Sequence, residues 1–127
     1  MTDWFYTAGS AAEGPWLLSV GAEGSATELQ GWEHTGIKVA DVEAGQELQL
    51  AAAAEERLIV PLWGAYEVKT ESESYPLRGR ANVFAGPTDV LYLGSGQAAT
   101  IVASAAGRVA VATSPTSNAK PNRLVRA

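Results

Sequence analysis

The residues able to do chemistry are few and scattered. His34 is the single histidine. As a metal ligand or general base it would need carboxylate partners, and Glu33 and Asp41 are near it only along the chain. A lone histidine at the start of a strand is more often a surface or capping residue. Glu55-Glu56-Arg57 sets two carboxylates side by side, the pairing that proton transfer uses. Adjacent strand residues point to opposite faces, so the triplet reads instead as the solvated tip of a hairpin. Serine, histidine and aspartate all occur, yet no serine sits in a nucleophile elbow.

Gly94-Ser95-Gly96-Gln97-Ala98-Ala99 has the glycine spacing of a dinucleotide-binding loop and follows an apolar strand. That reading needs a helix next and an acid about 20 residues later to hold a ribose. A strand-like segment follows, and no acid exists after Asp89. The glycines therefore serve a tight turn. Ser117-Asn118-Ala119-Lys120 has the spacing of the serine–lysine pair of penicillin-binding enzymes, but lies in a polar tail rather than opening a buried helix. Tyr66 and the four tryptophans could line a pocket, although core packing uses aromatics more often.

The elements that would carry these residues are short and strand-like. Trp4–Gly14 reads as an arm, Trp16–Val20 as a strand and Gly21–Gln30 as a loop. Gly36–Ala44 alternates through Ile37 and Val39, and Gly45 turns the chain. Leu48 and Leu50 alternate with Gln49. Leu58–Trp63 is apolar on both faces, with Pro61 an awkward member because proline removes a ladder donor. Ala65–Thr70 and Tyr75–Leu77 flank a polar hairpin tip at Glu71–Ser74. Arg78-Gly79-Arg80 turns, Asn82–Phe84 is a brief strand, and Gly86-Pro87-Thr88-Asp89 turns again. Val90–Leu93, Ala98–Ala103 and Arg108–Thr113 complete the set. Turn signals every 8–12 residues predict a sandwich or barrel.

Composition bounds the rest. A chain of 127 residues is one domain with one core. No apolar run approaches 18 residues, so no membrane span is expected. MTDWFY carries Asp3 and no basic residue, unlike a secretory leader. Without cysteine there are no disulfides or thiolate sites, which fits the cytoplasm. The formal charge of −5 argues against nucleic acid as a partner. All fourteen acids lie at or before Asp89, while Arg108, Lys120, Arg123 and Arg126 follow it. A mildly basic tail on an acidic body more often docks on a neighbour or floats free than grips a polyanion.

Gly45–Gly64 resembles the first signature of the cupins, where a glycine is followed by two histidines one residue apart, a glutamate and a second glycine. Gly31-Trp32-Glu33, Val42-Glu43-Ala44-Gly45, Leu58–Gly64 and Gly79-Arg80-Ala81-Asn82-Val83-Phe84 narrow the likeness. With the opening Trp4–Gly9, they resemble the first domain of the 5-deoxy-glucuronate isomerase family of inositol catabolism. The resemblance covers nearly the whole chain and rests on many moderate matches.

It implies an all-β, cupin-like jelly-roll barrel as a single domain over residues 1–115. Residues 116–127 would be a tail or linker towards a second cupin domain. That second domain carries the family's metal-binding histidines and glutamate. In this chain the corresponding positions read Ala51, Ala53, Arg57 and Ala99. Methyl groups and a guanidinium cannot hold a divalent ion, so no metal, cofactor or catalytic residue is expected here. Leu48 and Leu50 alternate oppositely to Ala51 and Ala53, so either the strand is covered on both faces, as in a two-domain protein, or the register is off by one. The first is the expectation, because an extra apolar face suits docking on a partner domain or subunit. The expected function is that of a non-catalytic N-terminal domain, partnered by a second cupin domain or by copies of itself. The alternative is a free-standing degenerate cupin that binds a small ligand, a sugar acid among the candidates, or serves as a scaffold.

Overall fold

The computed structural model describes residues 9–21, 27–28 and 34–127. Alternating apolar residues and turn glycines resolve into strands β1 (Leu18–Gly21), β2 (Thr27–Glu28), β3 (Gly36–Val42), β4 (Glu47–Leu50) and β5 (Glu55–Lys69). They continue as β6 (Ser74–Arg80), β7 (Val90–Leu93), β8 (Ala99–Ala103), β9 (Gly107–Pro115) and β10 (Arg123–Val125). No described residue is helical. The expected arm at Trp4–Gly14 lies mostly outside the described residues, as does most of the Gly21–Gln30 loop.

Two hydrogen-bonded sheets share β5. Its first half lies between β7 and β9 in the order β10-β7-β5-β9-β3-β1-β2. Its second half pairs with β6 and β8, and β8 pairs in turn with β4. All pairings are antiparallel except β1 with β2. The inner faces enclose one core that includes Val42, Leu48, Leu50, Ile59, Val68, Leu77, Leu91, Leu93, Ile101, Val109 and Val111. Each such side chain contributes about 1.5–3 kcal/mol by leaving water.

The cupin-like all-β architecture is as expected, but the sheet is not closed into a barrel. Among the described residues the pairing path ends at β10 on one side and β2 on the other. The smaller sheet joins the larger through β5 alone. The product is an open two-layer sandwich.

Several local expectations need correction. Glu55–Arg57 is no hairpin tip: it opens β5, which then runs unbroken through the segments expected as two strands. Glycine makes this possible. Gly64, at φ +92°, carries the bend, and Tyr66 donates its hydroxyl to the Trp63 carbonyl at 2.7 Å across it. A Cβ on Gly79 would overlap the Gly64 carbonyl oxygen, so only glycine lets β6 approach there. Pro61 is tolerated because the β7 ladder stops at Ile59 and the β9 register shifts between Pro61 and Trp63. Asn82–Phe84 is an exposed turn rather than a strand, with the Phe84 amide donating to Asn82 Oδ1.

Within this chain β4 is covered on one face. Leu48 and Leu50 are buried, whereas Glu47 and Gln49 are exposed. Ala51 and Ala53 fall in the irregular residues 51–54 beyond the strand, where the two-residue period no longer applies.

Residues 116–127 lie against the body of the fold. The Ser95 hydroxyl donates to the Thr116 carbonyl at 2.6 Å, and the Gly94 amide donates to Asn122 Oδ1 at 2.8 Å. A Cβ on Gly94 would collide with the Lys120 carbonyl oxygen. β10 then pairs with β7.

Candidate functional site

Arg57 is the third residue of β5, two pairs from the start of its ladder with β9. On β5 it lies opposite Leu93 of β7 and Thr113 of β9, on the same face as buried Ile59. Only 7% of it is exposed. Its Nε–H donates to Glu55 Oε2 at 2.9 Å. Nη1 donates to the Gln97 carbonyl at 3.0 Å, and Nη2 to the Ala51 carbonyl at 2.6 Å. One guanidinium thus ties β5 to the residue 51–54 crossover and to the turn before β8. Ala53 reinforces the same junction, its carbonyl accepting from the Gly96 amide at 2.9 Å.

Ala51, Ala53 and Arg57 line one cavity of about 280 Å3, together with Lys38, Gln49, Glu55 and Thr113. Ala99 is not part of that lining: it is buried at the start of β8, opposite Leu50, and lines a neighbouring cavity that Ala51 also borders. Of the four positions implied by the family resemblance, three therefore share a cavity. Their donor chemistry does not fit a divalent cation. Two methyl groups offer no lone pair, and a guanidinium offers only N–H donors and positive charge. Among the described residues, no three His, Cys, Asp or Glu side chains gather where they could hold a metal ion.

The remaining candidates do not converge among the described residues. His34 is exposed ahead of β3, and Glu33 lies outside the described residues. Asp41 is seven positions further on, roughly 20 Å along an extended strand. There it accepts from both Nε and Nη2 of Arg108. Those hydrogen bonds hold its carboxyl below the usual range, against a smaller opposing effect of desolvation. Arg108 in turn stacks 4.7 Å from the Trp63 ring centroid. Glu55 and Glu56 point apart, Glu55 to Arg57 and Glu56 to the Tyr92 hydroxyl at 2.7 Å. Tyr66 belongs to the core, where burial foremost, helped by Asp41, raises its hydroxyl to about 12. It remains a donor at ordinary pH. Gly94–Ala99 leads into strand β8, so it cannot present a helix terminus to a phosphate.

Sequence reasoning missed Asp89. It is 2% exposed and accepts from the Arg78 amide at 3.0 Å, the Ala127 amide at 3.0 Å and Arg126 Nη1 at 2.8 Å. Burial alone would raise its pKa, but these donors and the Arg126 charge outweigh it and bring the carboxyl to about 2. The Gly-Pro-Thr-Asp turn signal located the residue. Nothing local announced partners 11 and 38 positions away.

Two layers of mostly antiparallel strands around one core define a cupin-like protein. Solved structures agree: an RmlC-like cupin from Shewanella frigidimarina superposes with TM-score 0.53 at 13% identity, covering 69% of this chain and 72% of that one. KdgF from a Halomonas species gives TM-score 0.53 at 17% identity, over 68% and 75% of the two chains. An IolB-like protein from Salmonella typhimurium reaches TM-score 0.81 at 24% identity and covers 95% of this chain. The KduI/IolB family model matches residues 6–127, so the chain belongs to the KduI/IolB family. It spans 44% of the length of the Salmonella protein. No curated protein matches it in sequence.

Proposed function

We propose that this chain acts as a metal-free, non-catalytic N-terminal domain of a KduI/IolB-type protein in the cytoplasm. The chemistry to which it contributes is the aldose–ketose isomerisation of a sugar acid in inositol catabolism. That reaction moves a proton between adjacent carbons through an enediol and needs a general base and an electrophile on the carbonyl. The base and electrophile would come from a metal-bearing second domain, against which this domain packs and with which it helps assemble the oligomer.

The observation that carries this reading is Arg57. A buried cation, bonded to two carbonyls and one carboxylate, occupies a position where the family resemblance expects a metal ligand. The outer face of the larger sheet supports the docking role. Leu58 of β5 faces outwards between Tyr92 and Ala112 and is 39% exposed, and Val125 is 49% exposed. Apolar side chains of this kind suit a covered interface.

The test is turnover and assembly measured on the same preparation. The purified chain, incubated with zinc or manganese and dialysed, is expected to retain no stoichiometric metal and to leave 5-deoxy-glucuronate unchanged. Added to the histidine-bearing half of a family member, it is expected to co-elute on gel filtration. Turnover by this chain alone that disappears on chelation would overturn the reading.

A further inference from the structure

The cavity beside Arg57 has chemistry of its own. Its two cations arise on neighbouring inward-facing rows. Arg57 of β5 is opposite Thr113 of β9, and Thr113 is opposite Gly36 of β3. One row along, Ile59, Val111 and Lys38 line up in the same way. Lys38 is therefore two strands across and two residues along from Arg57. At ~4.8 Å between strands and ~3.3 Å per residue, their backbones are on the order of 12 Å apart. Long cationic side chains projecting from the same face at that separation can approach one small molecule from two sides.

Arg57 has donors to spare. A guanidinium carries five N–H groups. Glu55, Gln97 and Ala51 account for three hydrogen bonds, so two N–H groups remain for a ligand among the described residues. Lys38 is loosely held: its ammonium is 3.7 Å from Glu13 Oε1 and 5.6 Å from the Trp16 ring centroid. Glu13 also accepts from the Ser19 hydroxyl at 3.2 Å, which divides its attention. Among the ionised groups lining the cavity, Lys38 and Arg57 outweigh Glu55 by one positive charge.

We infer that this cavity binds a small monocarboxylate, whose carboxylate oxygens take the remaining Arg57 N–H groups while the Lys38 ammonium approaches the same negative charge from the other side. A single negative charge matches the single excess positive one. A dianion such as phosphate would bring a second negative charge up against Glu55, for which the lining has no counterpart. The 280 Å3 available equals about nine waters at ~30 Å3 each, which limits the ligand to a small metabolite. The site does not depend on the assembly role, since a docked domain and an isolated one would both carry it.

The test uses the whole chain and the side-chain N–H resonances of Arg57 in proton–nitrogen correlation spectra. Acetate and lactate, titrated at constant ionic strength, are expected to shift those resonances saturably with a millimolar midpoint, whereas acetamide does not. Lys38→Met is expected to raise the midpoint about tenfold. Glu55→Gln is expected to lower it severalfold by removing the opposing charge. A non-saturating shift, an equal response to acetamide, or midpoints unmoved in both variants would each overturn the inference. Because Arg57 itself stays intact, its contribution to folding does not confound the result.

Discussion

Arg57 and Asp89 are both buried ions, and their surroundings differ in kind. Asp89 is closed in by the Arg78 amide, the Ala127 amide and Arg126, so donors surround the charge. Arg57 is held by two carbonyls and one partly exposed carboxylate, with donors left over beside a cavity. The first arrangement fastens the last residues to the body. The second joins a crossover and a turn yet keeps hydrogen-bonding capacity for something else. Low exposure alone does not separate a fastening from a site; the separation comes from comparing donors supplied with acceptors provided.

The largest effect should come from breaking the fastening. Asp89→Ala removes the acceptor shared by Arg126 and two backbone amides and is expected to cost about 3 kcal/mol in denaturant unfolding. Amide exchange at residues 123–127 should rise with it, because β10 loses its anchor. Exchange unchanged there would mean that β7 pairing alone holds the segment.

Acid sharpens the same contrast. The folded carboxyl of Asp89 sits at about 2, below its ordinary value of 3.8. Its contribution is therefore fully present above about pH 4 and lost as pH falls towards 2. A thermal-melting profile should decline across that window in the parent chain, and the decline should shrink in Asp89→Asn. Equal acid slopes in the two proteins would remove Asp89 from the account.

Arg57→Met should cost less, about 2 kcal/mol, since Glu55 keeps partial contact with water while two carbonyls lose a donor. Exchange should rise at residues 51–54 and 94–97 and not at 123–127. Smaller still is the effect of Asp41→Asn. Its pair with Arg108 lies at the surface, and exposed pairs contribute roughly 0–1 kcal/mol. Denaturation midpoints that differ little from the parent are the expected outcome, and a large loss would show that the stacking of Arg108 on Trp63 depends on the pair.

Much of the fold was legible because alternation is a local property. The strands at Ile37–Val39, Leu48–Leu50, Val90–Leu93 and Ala98–Ala103 were written in side chains two apart, and turn glycines marked their ends. The family pattern, too, was visible in the chain. By contrast, the single long β5 was not readable: Gly64 looks like a terminator until the strands packed on it show that it is a bend. Nor do the polar residues of the tail announce that β7 and Asp89 receive it.

Strand periodicity, the lack of cysteine, the family, and the alanine and arginine where the resemblance expects metal ligands are all readable along the chain. Folding was needed to bring three of those positions to one cavity, to bury Arg57 with donors unspent and to place Asp89 under the last residues. Range accounts for the division. Side-chain alternation is set by the next residue but one, whereas the hydrogen-bond partners of a buried charge lie far along the chain, 40 positions apart for Arg57 and Gln97 and 38 for Asp89 and Ala127.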